Sequence, residues 1–161
     1  MPGHIVFRPI TDADRDFLYS VYASTRTEEL KLTDWDDARK SEFLAMQFSA
    51  QQQYYQENYK DTDFLIVLKD NQAAGRLYIA RWPEEIRIVD LALLPQFRNS
   101  SIGSQILLEV INEAKALNKL VRIHVERFNP AQNLYRRLGF NKSGEHGVYD
   151  LMEWSNSRQA C

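Results

Sequence analysis

The stretch from Leu91 to Ile111, LALLPQFRNSSIGSQILLEVI, constrains the fold more than any other part of the chain. It passes from an apolar strand through a short loop of small polar residues straight into a strongly periodic helix. Ile106, Leu107, Val110, Ile111, Ala114 and Leu117 recur at helical spacing, so the segment 103–117 must lay one apolar stripe on a sheet or on another helix. A strand feeding such a helix through so short a loop belongs to an α/β layer structure. The loop has a chemical consequence too. The first amides of a helix lack partners and the helix dipole is positive there, so this join is an anion-binding turn. Arg98, Asn99, Ser100, Ser101, Ile102, Gly103 and Ser104 supply the amides. Serine hydroxyls add donors, and Gly103 leaves room for a phosphate against the backbone. No Gly-Lys-Ser/Thr follows and no G-x-G-x-x-G is present, which excludes a Walker loop and a dinucleotide fingerprint. A capped connection without a ligand is the alternative at this point.

The remaining periodicities surround that join. Residues 4–10 predict a short strand, and Thr11 caps a helix beginning TDADRDFL. A longer helix is predicted from about Asp36 to Tyr59. The period then changes: strands are predicted at 64–69, 73–82 and 86–94, an antiparallel meander. VRIHVE (121–126) alternates as a strand, and Asn129-Pro130 opens a short helix through Leu138, stopped by Gly139. The last segment reads as a hairpin around Gly144–Gly147. The order β-α-α-β-β-β-α-β-α-β-β predicts one α/β domain spanning 1–161, a mixed sheet flanked by about four helices.

Composition narrows the classes. The chain has 161 residues, 44% hydrophobic and 26% charged, enough for a full core without disulfide or metal staples. Its one cysteine, Cys161, is terminal, and His4, His124 and His146 have no ligand spacing, so no metal is expected. The start reads as no signal peptide and no apolar run would span a membrane, so a cytoplasmic protein is expected. A net charge of −2 argues against nucleic-acid binding. The charge is split: residues 1–63 hold 7 basic and 12 acidic side chains, residues 64–161 hold 13 and 10. One half suits an anionic ligand and the other a cation, or both are solvated helix faces.

LALLPQFRNSSIGSQILL together with NPAQNLYRRLGF resembles the GCN5-related N-acetyltransferase (GNAT) family. The first segment is similar to that family's acetyl-CoA loop, Arg/Gln-x-x-Gly-x-Gly/Ala, after a strand ending in hydrophobic-x-Pro. The second is similar to its Asn-x-x-x-x-x-Tyr-x-x-x-Gly-Phe segment. Ser101 stands where the family has the first loop glycine, which narrows the backbone there. The resemblance implies the GNAT (acyl-CoA N-acyltransferase) fold and acetyl-CoA as acyl donor, its pyrophosphate on the amides of Arg98–Ser104. It implies Leu93 and Leu94 beside the thioester, with the Leu93 amide stabilising the oxyanion. Asn129 and Ala131 would line the pantetheine arm, and Tyr135 would protonate the departing thiolate. For Tyr135 core packing is the alternative, since Leu134, Tyr135 and Leu138 are spaced for burial.

For the base that deprotonates the amine, His124, Asp90 and Glu126 are the polar residues on otherwise apolar strands, with water as a further possibility. The resemblance puts the acceptor wall on the first two helices and the final hairpin, and the first of these holds Tyr22, Arg26, Glu28, Glu29 and Trp35 with Asp34, Asp36 and Asp37 nearby. A helix N-cap beside an exposed loop is the alternative for these acids. Acids among aromatics suit an amine cation of a small molecule, peptide or protein. A non-catalytic acyl-CoA-binding module and an enzyme for longer acyl chains are the rival readings. A homodimer would pair through an exposed final strand.

Overall fold

The computed structural model describes residues 4–156. The elements are β1 (Ile5–Pro9), α1 (Arg15–Lys31), α2 (Asp37–Asn58), β2 (Thr62–Lys69), β3 (Gln72–Arg81), β4 (Glu85–Leu93), α3 (Ile102–Leu117), β5 (Leu120–Glu126), α4 (Ala131–Arg137), β6 (Asn141–His146) and β7 (Tyr149–Trp154). This is the expected order. The helix expected from Thr11 begins later, because a 3-10 turn over Asp12–Asp14 precedes α1. Asp14 anchors that turn: it accepts from the Thr11 amide at 2.8 Å and forms a two-pronged ion pair with Arg8. That pairing holds its carboxyl down at about 2.

The seven strands form one sheet in the order β1-β2-β3-β4-β5-β7-β6. All neighbours are antiparallel except β4 and β5, which run parallel with α3 as the crossover. Asp70 and Asn71, both at positive φ, make the two-residue β2–β3 turn. The final strand, expected as an exposed edge for a homodimer, is not an edge: β7 lies inside the sheet between β5 and β6, and the edge strands are β1 and β6. The last hairpin folds back so that its second strand meets β5, a choice set by non-local pairing.

Two cores flank the sheet. On one face Ile102, Ile106, Leu107, Val110, Ile111 and Ala114 of α3 pack on Leu77, Ile79, Ile86, Ile88, Val121, Ile123 and Val125. On the other, Leu18, Tyr22 and Leu30 of α1 and Leu44 and Phe48 of α2 pack on Ile66. Asn118 caps α3 at φ 55°, as its position just past the apolar stripe predicts.

Candidate active site

The parallel β4–β5 pairing is short. It runs from Glu85↔Leu120 to Ile88↔Ile123 and then stops. The cause is on the other side of β4. Against β3, Ile79 pairs with Ile88 but Tyr78 pairs with Asp90, so Val89 is an unmatched bulge residue that bends the strand. Beyond it β4 and β5 diverge and leave a gap in the sheet. The Leu94 amide donates to Ala74 O at 2.8 Å. By the alternation of an antiparallel ladder, the amides of Leu91 and Leu93 therefore face the gap. Gly75 permits this close approach of β3, since a Cβ there would lie 2.2 Å from Ala92 O. Leu94, expected beside the thioester, has its amide committed to β3.

Below the gap the sheet is stapled by charge. The parallel register sets Arg87 beside Arg122. Glu85, itself buried, accepts from Arg122 at 2.7 Å and from Arg87 at 2.9 Å, and Arg122 also donates to Glu153 at 2.8 Å.

The small-residue loop lies at the end of β4. Ser101 caps α3 at φ 67°, and Asn99 has φ 57°. Two non-glycine residues thus take the left-handed conformation, the form the loop needs where glycine is absent. The first helical bond is Gln105 N to Ser101 O at 2.9 Å. Ahead of it, the amides of Asn99 to Ser104 have no hydrogen-bond partner among the described residues. Arg98 differs from the expectation: its amide donates to Pro95 O, and its side chain does the positioning. Nε donates to Leu93 O at 2.9 Å and Nη2 to Ser24 Oγ of α1 at 3.0 Å, tying the loop to the far side of the gap. The Ser100 hydroxyl is spent on Phe97 O, whereas Ser101 Oγ only accepts, from Gln105. The Ile102 side chain is core. Gly103 is helical, and a Cβ there would meet Leu134 Cδ2 at 3.4 Å, an ordinary contact, so α4 leaves room for a methyl group but not for a branched side chain.

Ahead of α4, whose N-cap is Pro130 and not the expected Asn129, Asn129 Oδ1 accepts from the Ala131 amide at 2.9 Å, a side-chain turn that occupies both atoms. Tyr135 is 5% exposed and packs edge-on to Phe140, with ring centroids 5.6 Å apart. Its ring is core, as the packing alternative holds, and burial raises its pKa, with a further push from Asp90. The phenol is therefore protonated at neutral pH.

The three candidate bases share one face of the sheet, the face of α1 and α2. Asp90 is ion-paired with the buried Arg76 of β3. Glu126 accepts from Arg26 at 3.0 Å. His124 is exposed and has no hydrogen bond or ion pair among the described residues. Partial desolvation of its ring, then the charges of Arg87 and His146, lower its pKa, so the imidazole is neutral at pH 7.

The acidic wall is largely self-neutralised. Glu28 pairs with Lys31, Glu29 with Arg26, and Asp36 caps α2 by accepting from the Arg39 amide. Arg39 lies 4.3 Å from the Trp35 ring centroid, occupying a cation–π position. Tyr22 is buried with its hydroxyl on Gln47, so it supports Arg26 from below and does not form the wall. Of the expected residues, Arg26 and its partners Glu29 and Glu126 form a chain from α1 to β5. The sequence pattern does not single out Ser24, Gln51, Gln52 or Arg76. One signal existed for Arg76, a charge inside the apolar strand AAGRLYIA.

The family model of the acetyltransferase (GNAT) family matches residues 25–140. The chain belongs to that family, whose members are N-acetyltransferases. Among solved structures, the PaiA N-acetyltransferase of Thermoplasma acidophilum in complex with coenzyme A superposes with a TM-score of 0.70 at 19% identity, over 94% of this chain and 99% of that one. A GNAT acetyltransferase from Elizabethkingia anophelis with acetyl-CoA bound gives 0.59 at 19% identity, over 94% and 97%. A Bacillus subtilis (strain 168) protein described as a candidate [ribosomal protein bS18]-alanine N-acetyltransferase is 27% identical over 84 residues, 50% of this chain and 55% of that protein. The chain thus spans about half the length of that relative. No helix among the described residues is long and apolar enough to cross a membrane.

Proposed function

We propose that the chain transfers an acetyl group from acetyl-CoA directly to a primary amine of a small molecule or peptide, within the cytoplasm and as one domain over 1–161. The observation that carries this is the gap between β4 and β5. It joins the amides of Asn99–Ser104, unpartnered among the described residues, on one side of the sheet to three proton acceptors on the other. The residues fit the donor: unpartnered amides at the start of a 16-residue helix suit a pyrophosphate, and the Leu93 amide faces where a thioester carbonyl would sit. That amide stabilises the oxyanion as the amine nitrogen attacks, an effect worth about 2–4 kcal/mol in comparable sites. His124 takes the proton from the amine. The carbon–sulfur bond breaks, and the leaving thiolate takes the proton of Tyr135. The only cysteine, Cys161, lies outside the described residues, and the reading uses no acyl-cysteine. The coenzyme A-bound PaiA neighbour and the Bacillus relative named for an alanine amine support it.

Thiol release from acetyl-CoA tests it, with a linear diamine, an alanine-initiated peptide and a lysine peptide as acceptors. Amine-dependent release is expected. Acetyl-CoA binding without release on any amine would establish the non-catalytic module instead, and faster release from longer acyl-CoA would reassign the donor.

A further inference from the structure

Arg76 is 2% exposed in the middle of the sheet. Its Nη2 contacts Asp90 Oδ2 and donates to Gln51 Oε1 at 2.8 Å, and its guanidinium carbon lies 5.1 Å from the Tyr78 ring centroid. The Tyr78 hydroxyl is itself held by Gln52 at 3.0 Å. Nε and Nη1 of Arg76 have no partner among the described residues. A buried ion pair of this kind stabilises a fold no better than apolar side chains of the same volume. What it does is fix a position. The member with an open side is Asp90, whose side chain is 19% exposed against 2% for Arg76. Asp90 directly follows the bulge residue Val89, at the level where β4 leaves β5, and points to the same face as His124 and Glu126.

We propose that Arg76 is a positioning residue that acts through Asp90: it holds this carboxylate at the acceptor side of the gap, where Asp90 meets the ammonium group of the acceptor. This rests on the amine-acceptor reading. Two features of the surroundings agree. Gln51 and Gln52 of α2 grip Arg76 and Tyr78, so the carboxylate is anchored to a helix as well as to a strand. Asp90 also lies near enough to Tyr135 for its charge to reinforce the effect of burial on the phenol.

Steady-state thiol release by the full chain tests this, on whichever amine of the three above turns over fastest. Asp90→Asn should raise the amine KM by ~10-fold or more and leave the acetyl-CoA KM within about twofold. Arg76→Gln should move the same constant by roughly 5–10-fold, Arg76→Lys should restore most of it, and the double variant should be no worse than Asp90→Asn alone. Losses that multiply in the double variant, or an acetyl-CoA KM that rises in step, would make Arg76 merely structural and overturn the proposal. If Arg76→Gln fails to fold because it strands a buried carboxylate, Arg76→Lys and the charge-free double variant carry the same comparison. Wild-type protein inactive on all three amines would overturn the amine-acceptor reading, and this proposal with it.

Discussion

Replacing the Tyr135 hydroxyl with hydrogen separates chemistry from packing, because the ring is buried against Phe140 whether or not the oxygen is present. Tyr135→Phe should lower kcat by roughly 10–10³-fold and leave the acetyl-CoA KM nearly unchanged, since the proton is needed only as the thiolate leaves. An unchanged kcat at saturation would return the residue to the core. His124 gives a pH signature. Its folded pKa lies below 6.5, so the neutral base persists as the pH falls through 6.5 and is lost only at lower pH. The acceptor kcat/KM should therefore stay flat from neutral pH to below 6.5 and then decline. His124→Gln should abolish that acid limb, and a profile that keeps it would point to another group.

At the scale of elements, the loop and the strand staple make separable demands. Gly103→Val pushes methyl groups toward Leu134, so it should cost about 1–3 kcal/mol and displace α4 together with Tyr135. Thermal melts with and without acetyl-CoA should show a lower melting temperature and a smaller ligand-induced rise, whereas Gly103→Ala, in ordinary contact with Leu134, should behave like wild type. Glu85→Gln leaves Arg87 and Arg122 side by side with Glu153, which bonds Arg122, as the negative charge that remains. It should destabilise the protein by about 2 kcal/mol in urea titrations, and an unchanged midpoint would mean that Glu153 alone suffices.

The elements themselves were legible: the α3 stripe, the β2–β4 meander and the clean alternation of β5 gave their boundaries to within a residue or two. What local pattern does not contain is pairing. The bulge at Val89 exists only against β3, and the insertion of β7 beside β5 only against the finished sheet. The anion-binding loop was legible from its small residues, but the commitment of the Arg98 and Leu94 amides depends on Pro95 and Ala74. The acids near the first helices read as a cation wall because sequence shows charges without their partners.

Across the whole molecule, the sheet is two half-sheets joined by four register pairs, Glu85–Ile88 against Leu120–Ile123. Hydrogen exchange should reflect this. Amides in the joined rows and in α3 should be the slowest, while Leu91 and Leu93 should exchange faster than Leu94, which bonds to Ala74. Acetyl-CoA should slow Leu91, Leu93 and the Asn99–Ser104 amides selectively. Uniform protection along β4 would contradict the gap.

The short join between the half-sheets also orders assembly. A ribosome that has released the chain as far as Leu117 has delivered β1 to β4 and α3, of which the β2–β4 meander makes mostly local contacts and forms early. At that stage β4 carries an open edge, and it stays open until Leu120–Ile123 emerges. When β5 arrives, its own far side waits for β7, whose residues follow those of α4 and β6. The gap on which the chemistry depends is thus the last feature to be framed. A chain halted before Tyr149 would present β5 as an unprotected, apolar strand edge, and such a nascent fragment should aggregate or recruit chaperones where the finished protein does not.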